Sequence, residues 1–474
     1  MPYQLTTRHR RLLADTVTPV GLYLRLRDQY PNCLLLESAD YHGQQNAFSY
    51  LVCEPLTTFE LRRGGHLHQT FPDGQERTET LSAPRQALTE LRNFAAAFVP
   101  DEAAAKMPFI TTGLFGYMGY EAVQSFEDVV LDPAKVPAAD VPLIRYGVYR
   151  YVIAFNHFRQ ELYLFEHGVA GQEAPADGLG RLENLVRNPS VPVFNFATVG
   201  EESSNQTDAE FLARLTQGQA HCLRGDVFQI VLSRRFQQGF SGDEFNVYRA
   251  LRSINPSPYL FYFDYGDYKI FGSSPEAQVL VQGREASLYP IAGTYRRTGD
   301  DAADAAAAQR LAADPKENAE HVMLVDLARN DLARHGSQVQ VRTLREIQFY
   351  SHVIHLVSHV TAELDEGTDT LQVVADTFPA GTLSGAPKHR ALQLIDGLEP
   401  TARGYYGGCI GHLGFDGNFN HAIMIRSFLS AGNQLYFQAG AGVVAASSVQ
   451  SELEEVHHKL GALRAALKAA TDVY

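Results

Sequence analysis

The chain contains no tryptophan and only four cysteines, Cys33, Cys53, Cys222 and Cys409, scattered along its length. With no CxxC pair, neither a zinc site nor a disulfide framework is expected, and a reduced, cytoplasmic setting fits. Positive charge is also in deficit: 40 lysines and arginines face 54 acidic residues, leaving a net charge of −14. Such a chain repels phosphate backbones and anionic lipid heads, so neither nucleic acid nor a membrane is an expected partner. The start, MPYQLTTRHRRLLADTV, lacks the continuous apolar stretch of an export signal, and nowhere is an apolar run long enough to span a bilayer. The phosphate-loop pattern GxxxxGK[ST] and a strand-borne GxGxxG are both missing, which sets aside nucleotide and dinucleotide loops.

What is present is a large apolar fraction. Of 474 residues 45% are hydrophobic and only 20% charged, enough to bury a substantial core in two or three domains. Residues 1 to about 165 alternate in short segments such as Phe48-Ser-Tyr-Leu-Val, the pattern of antiparallel sheet. Between 171 and 205 the composition turns to Gly, Ala, Pro, Ser and Asn, which reads as a linker with one short helical stretch. From Thr207 long helical patterns alternate with strands: helices over 208–223 and 316–334, a strand at 228–232, and a last helix at about 449–470. The class is α+β.

Two acidic pairs stand out on the predicted helices, Glu317 with Glu320 and Glu452 with Glu455. Spacing of three residues puts each pair on one helix face. Two such faces together offer four hard oxygen donors, which suit Mg²⁺ held partly by a substrate carboxylate, although the same spacing also decorates solvated helices. Three glycine-rich segments follow, GTLSGAPK (381–388), GYYGGCIG (404–411) and QAGAGVV (438–444). They can aim backbone N–H groups at an anion or simply form tight turns. Lys388, Arg426 and Lys459 could add charge-assisted bonds to a small dianion.

In order along the chain, SSPE (273–276), PIAGT (290–294), EHVMLVDLARNDL (320–332), HVIHLVS (352–358), GTLSGAPK, YGG (406–408), IRS (425–427), AGAGVV and SExxE (451–455) closely resemble the chorismate-binding enzymes. Weaker similarities occur in LLLESAD (34–40) and GLFGYMGYE (113–121). Within the group the blocks look most like the anthranilate synthase component I family. The resemblance implies large antiparallel β-sheets packed as a sandwich with helices outside: an N-terminal β-rich domain over 1–170, a linker over 171–205 and a catalytic domain over 206–474. It implies that Glu317, Glu320, Glu452 and Glu455 hold Mg²⁺ against the ring carboxylate of chorismate. Thr382, Tyr406, Arg426, Lys459 and the backbone at Gly440 and Gly442 match positions that bind the substrate, and Thr294 lines the same pocket. His355 matches the acid that protonates the departing C4 hydroxyl, a task suited to an imidazolium near neutral pH. Glu276 matches a further carboxylate near the ring, a candidate proton shuttle.

Two positions bear on the nucleophile. Gln229 stands where similar isochorismate and salicylate synthases place a lysine that activates water, and Ala292 where aminodeoxychorismate synthases carry a nucleophilic lysine. Free ammonia remains, adding at C2 to give aminodeoxyisochorismate and then, with loss of pyruvate, anthranilate. The GGCIGH segment (407–412) looks like the nucleophile turn of a glutamine amidotransferase, but too little chain follows Cys409 to complete that fold. Ammonia is therefore expected from a separate amidotransferase subunit in a hetero-oligomer. Glu37 and Ser38, with Pro256, Ser257 and Tyr259, resemble the tryptophan site of feedback-inhibited members. The alternatives are an aminodeoxychorismate or aminodeoxyisochorismate synthase on the same scaffold and an inactive tryptophan sensor. Departures from the family pattern occur at YRRTG (295–299), at EEVHHKL (454–460) and at Leu260, where methionine is common.

Overall fold

The computed structural model describes residues 2–38, 48–102, 107–173, 175–349 and 353–473, without the side chains of Thr294 and Arg296. Nearly all strand pairs are antiparallel, and they form one continuous hydrogen-bonded series. From the edge strand Phe196–Ser204 it passes through Gln229–Gly242, Gln434–Val444, Ser427–Ala431, Tyr268–Ser274 and Tyr259–Asp264 to Leu34–Glu37. It continues through Phe48–Leu61, Ile144–Asn156, Gly113–Met118, Cys409–Gly414, Phe419–Ile423, Ala277–Gln282 and Glu285–Leu288 to Val353–Leu364. Strands from both halves of the sequence thus pair directly, at Leu34–Glu37 with Tyr259–Asp264 and at Gly113–Met118 with Cys409–Gly414.

The segment read as a linker is more structured than its composition suggests. It carries the helix Gly178–Arg187 and the strand Phe196–Ser204. Leu179, Leu182 and Val186 bury one face of that helix in the core, so three apolar residues at helical spacing override the glycines and prolines around them.

The two sheet layers are joined where a pair of long strands break. Tyr268–Ser274 runs on into Ala277–Gln282, and Phe419–Ile423 into Ser427–Ala431; the first break contains Glu276 and the second Arg426. Backbone bonds tie the breaks together: Ser273 N–H donates to Arg426 O at 3.1 Å and Ile423 N–H to Glu276 O at 2.9 Å. Arg426 itself takes a φ of +50°, a left-handed conformation held by this crossing.

Helices cover both outer faces. Thr207 opens Asp208–Leu223 with a capping box to Glu210, and Ser448 caps Val449–Ala469. Leu453, Val456, Leu460 and Leu463 of the last helix bury its inner stripe against the strand Gln434–Val444. Asp314 caps Pro315–Leu332 by accepting from Lys316 N and Glu317 N, with Pro315 at the first helical position. Among the described residues no helix is long and apolar enough to cross a membrane.

Candidate active site

The helices Pro315–Leu332 and Val449–Ala469 converge over the strand Gln229–Gly242, and their acidic pairs face one another. Lys316 Nζ lies 3.8 Å from Glu452 Oε1, and Gln229 Nε2 donates to Glu320 Oε1 at 2.9 Å. Burial raises the pKa of Glu317 and Glu320, with Glu320 adding to the first and Glu455 to the second. Burial and then Glu455 push Glu452 up to about 7. Burial also works to raise Glu455, but the Lys459 ammonium 2.5 Å away overrides it and holds that carboxyl below its usual range. Four carboxyl groups thus crowd one another, and an oxygen-seeking cation would relieve the repulsion. Among the described residues no three Asp, Glu, His or Cys side chains form a compact ligand cluster.

Next to the acidic pairs lies a cationic recess. Arg426 is half-buried and makes no ion pair with a carboxylate among the described residues, while Lys459 Nζ donates to Gly440 O at 2.9 Å. Tyr406 is buried beside Gly440, where an added Cβ would come within 3.3 Å of its Oη. Gly442 has less room, since a Cβ there would meet Gln229 Nε2 at 2.5 Å, so glycine is what allows the Gln229–Glu320 contact. Glu276 closes the other side. Burial pushes its carboxyl up to about 7, and Thr382 Oγ1 donates to its Oε1 at 3.0 Å.

His355 faces Arg426 and Lys459 from the strand Val353–Leu364. Its Nδ1 bonds to Gly293 O at 2.9 Å, and burial, aided by those two cations, lowers its pKa to about 4. That environment disfavours the imidazolium. The backbone of Thr294 pairs with His355 across the ladder, but the Thr294 side chain lies outside the described ones. Ala292 is buried one step along the same strand, beside a bulge at which Gly293 takes a φ of +69°.

One candidate sits elsewhere than the sequence suggested. Lys388 points away from the recess to Asp331 (3.2 Å) and Thr377 O (2.8 Å). His457 turns from the acidic pairs toward Arg464 and the Phe236 ring. Cys409 is fully buried in its strand and burial raises its thiol pKa, as for a packed residue. Other contributors gave little warning in the sequence. Gly293 acts through its carbonyl, so only its residue type could hint at a role. Lys316 is four residues before Glu320 and so shares its helix face, a signal that was available.

Glu37, Ser38, Pro256, Ser257 and Tyr259 lie where two paired inner strands, Leu34–Glu37 and Tyr259–Asp264, end and begin. Glu37 pairs with Leu260 in the ladder and accepts from Tyr248 Oη at 2.6 Å and Arg252 Nε at 3.0 Å. Ser257 is buried against Asn255, and Tyr259 pairs with Ser274, two residues from Glu276. Ala39 and Asp40, the end of the LLLESAD segment, lie outside the described residues.

Known proteins resemble this chain over most of its length. The family described as chorismate binding enzyme matches residues 35–465. Anthranilate synthase component 1 of Thermus thermophilus is 37% identical over 475 residues, covering 99% of this chain and 98% of the relative. The same enzyme component of Aquifex aeolicus is 35% identical over 486 residues, covering 99% and 96%. The crystal structure of anthranilate synthase component I from Streptococcus pneumoniae superposes with a TM-score of 0.77 at 30% identity, covering 96% of this chain and 99% of that one. The menaquinone-specific isochorismate synthase of Escherichia coli shares the fold, with a TM-score of 0.72 at 18% identity over 98% and 96% of the two chains.

Proposed function

This chain belongs to the chorismate-binding enzyme family, and from that premise we propose that it is the aminase subunit of an anthranilate synthase, converting chorismate and ammonia to anthranilate and pyruvate. One observation carries the choice of nucleophile. Gln229 spends its amide N–H on Glu320, so the position where related water-adding enzymes carry a base holds a group with no basicity. Ala292 offers no nucleophile either. The N-terminal region to about 170 would carry the regulatory site and residues 206–474 the chemistry.

Arg426 and Lys459, with Tyr406 and the amides at Gly440 and Gly442, would hold the two carboxylates of chorismate, and Thr382 and Thr294 would border the ring. Glu317, Glu320, Glu452 and Glu455 would hold Mg²⁺, which when bound neutralises the ring carboxylate and fixes its orientation. The nitrogen lone pair forms the bond to C2, the ring double bond shifts, and the C4–O bond breaks with its electron pair leaving on oxygen. His355 delivers the proton that lets the hydroxyl depart as water. Substrate carboxylates paired to Arg426 and Lys459 would cancel the positive field that holds His355 neutral, raising its proton affinity when the acid is needed. Glu276 is placed to take the proton lost from nitrogen. The C2 proton is then lost, its C–H electron pair enters the ring as the C3–O bond breaks, and the departing side chain takes a proton on its methylene carbon to leave as pyruvate, which aromatises the ring.

Ammonia would come from glutamine through a separate amidotransferase chain. Tryptophan bound between Glu37, Ser38, Pro256, Ser257 and Tyr259 would act on the site through the Tyr259–Ser274 pairing next to Glu276, opposing chorismate by linkage. Turnover of chorismate with an ammonium salt is expected to stop on chelation, to return with added Mg²⁺, and to fall when tryptophan is added. Turnover indifferent to the metal or to tryptophan contradicts the corresponding assignment.

A further inference from the structure

Two of the four cysteines meet at the start of the strand that bridges the two halves of the fold. In the antiparallel ladder between Leu34–Glu37 and Phe48–Leu61, Leu34 faces Val52 and Leu35 faces Leu51, so the next step of that register sets Cys33 opposite Cys53. Residues directly opposite share a face of the sheet, and both cysteines lie in one buried cluster with Leu35 and Leu51. The Cys33 carbonyl is engaged on the other side, where it accepts from Asp264 N at 3.2 Å. A strand residue points its N–H and C=O the same way, which makes Cys33 and Cys53 a non-hydrogen-bonded pair. In such pairs the Cα atoms stand about 4.5 Å apart, within the span that a disulfide bridges. Burial and then a hydrogen bond with the Cys53 thiol push the Cys33 thiol up, so the two sulfurs are in contact. Both are free cysteines.

We propose that Cys33 and Cys53 form a modification site, a dithiol that a peroxide closes into a disulfide, stapling the bridging strand to the N-terminal sheet. One sulfur attacks the O–O bond of the peroxide; an S–O bond forms, and the hydroxide released takes up the thiol proton as water. The second sulfur attacks the first. The S–S bond forms, the S–O bond breaks, and the departing hydroxide leaves as water with the second thiol proton. The sulfur pair loses two electrons and the peroxide gains them. Burial slows the first step, because the thiolate is the nucleophile. Access comes through the turn 27–32 that precedes Cys33, where Asp28, Gln29 and Pro31 are exposed and Cys33 Sγ donates to Tyr30 O at 3.4 Å. Opening of that turn frees Cys33 without unravelling the sheet. Leu34–Glu37 is held by Phe48–Leu61 on one side and by Tyr259–Asp264 on the other, so a covalent link at its start fixes the strand through which the halves pair.

The test is to treat the reduced full chain with hydrogen peroxide, alkylate it with iodoacetamide in denaturant, and map the tryptic peptides by mass. Residues 28–61 contain no lysine, arginine or methionine, so both cysteines fall in one peptide ending at Arg62. That peptide is expected to be lighter by two hydrogen atoms and unalkylated, and to take up two alkyl groups only after dithiothreitol. Closing the loop should raise the thermal midpoint by a few degrees, and dithiothreitol should reverse the rise. Cys53→Ala is expected to abolish both changes. Should that variant fail to fold, Cys33→Ala removes the same bond from its other end, and the map of the parent needs neither. A peptide that keeps two alkylatable thiols, or one that carries oxygen on a cysteine without the cross-link, overturns the proposal. A bond from either cysteine to Cys222 or Cys409 overturns it too, as does a cross-link that leaves the midpoint unmoved.

Discussion

Replacing His355 by alanine is expected to lower turnover of chorismate with ammonium by about 10²–10⁴-fold, the range spanned by loss of a positioned general acid. The ring is held by Gly293 O at 2.9 Å, so its orientation is set before substrate arrives. The KM for chorismate should change by no more than a few-fold, because Arg426, Lys459 and Tyr406 carry the carboxylate contacts and remain in place. The pH profile sharpens the expectation. His355 acts in its protonated form and so limits activity only on the alkaline side, whereas Glu276, raised to about 7, must lose its proton to act as a base. Activity should therefore fall as pH drops through about 7, and that limb should persist in the residual activity of His355→Ala. A variant retaining turnover within tenfold of the parent would remove His355 from the proposed chemistry.

Arg403→Met is expected to cost about 3–5 kcal/mol of stability, as for breaking a buried ion pair from one side. The Arg403 guanidinium is fully buried. It donates to Glu399 through Nε (2.9 Å) and Nη2 (2.6 Å), and to the carbonyls of Leu383 (2.7 Å) and Val231 (2.8 Å). It also lies 4.5 Å over the Tyr120 ring. Methionine fills much of the same volume but supplies none of these donors, so Glu399 keeps only the bonds from Ser233 N and Oγ. Leu383 follows Thr382 and Val231 lies two residues from Gln229, so the loss also loosens two elements that border the recess. Urea denaturation measures the effect. Adding Glu399→Gln to Arg403→Met should recover part of the loss, because the second change removes the stranded charge. A single variant within about 1 kcal/mol of the parent contradicts this reading of the pair.

Much of the fold was legible because helices announce themselves by capping and period. Thr207 with Glu210, Asp314 with Pro315 and the apolar stripe from Leu453 to Leu463 place three helices within a residue or two of their observed ends. The sheet was less legible. Pairing of Leu34–Glu37 with Tyr259–Asp264 joins residues more than two hundred apart, and no local pattern encodes such a partner. The helix Gly178–Arg187 was visible as a short helical stretch, but the glycine and proline around it gave no sign that it packs into the core.

The candidate site divides along the same line. Residue types and order brought Glu317, Glu320, Glu452, Glu455, Arg426 and His355 into consideration. Only coordinates reveal that Lys388 turns to Asp331, that Lys459 restrains Glu455, and that burial lowers the proton affinity of His355. Charge state follows from desolvation and neighbours, which are properties of the assembled fold. Roles borne by the backbone, as at Gly293, leave almost no trace in the sequence.

The most direct test of amination is to identify the product formed by the purified chain from chorismate, Mg²⁺ and ¹⁵N-labelled ammonium, by chromatography with mass detection. Anthranilate carrying the label, with an equal amount of pyruvate, is the predicted result. Isochorismate, 4-amino-4-deoxychorismate or unreacted chorismate in its place would contradict the account.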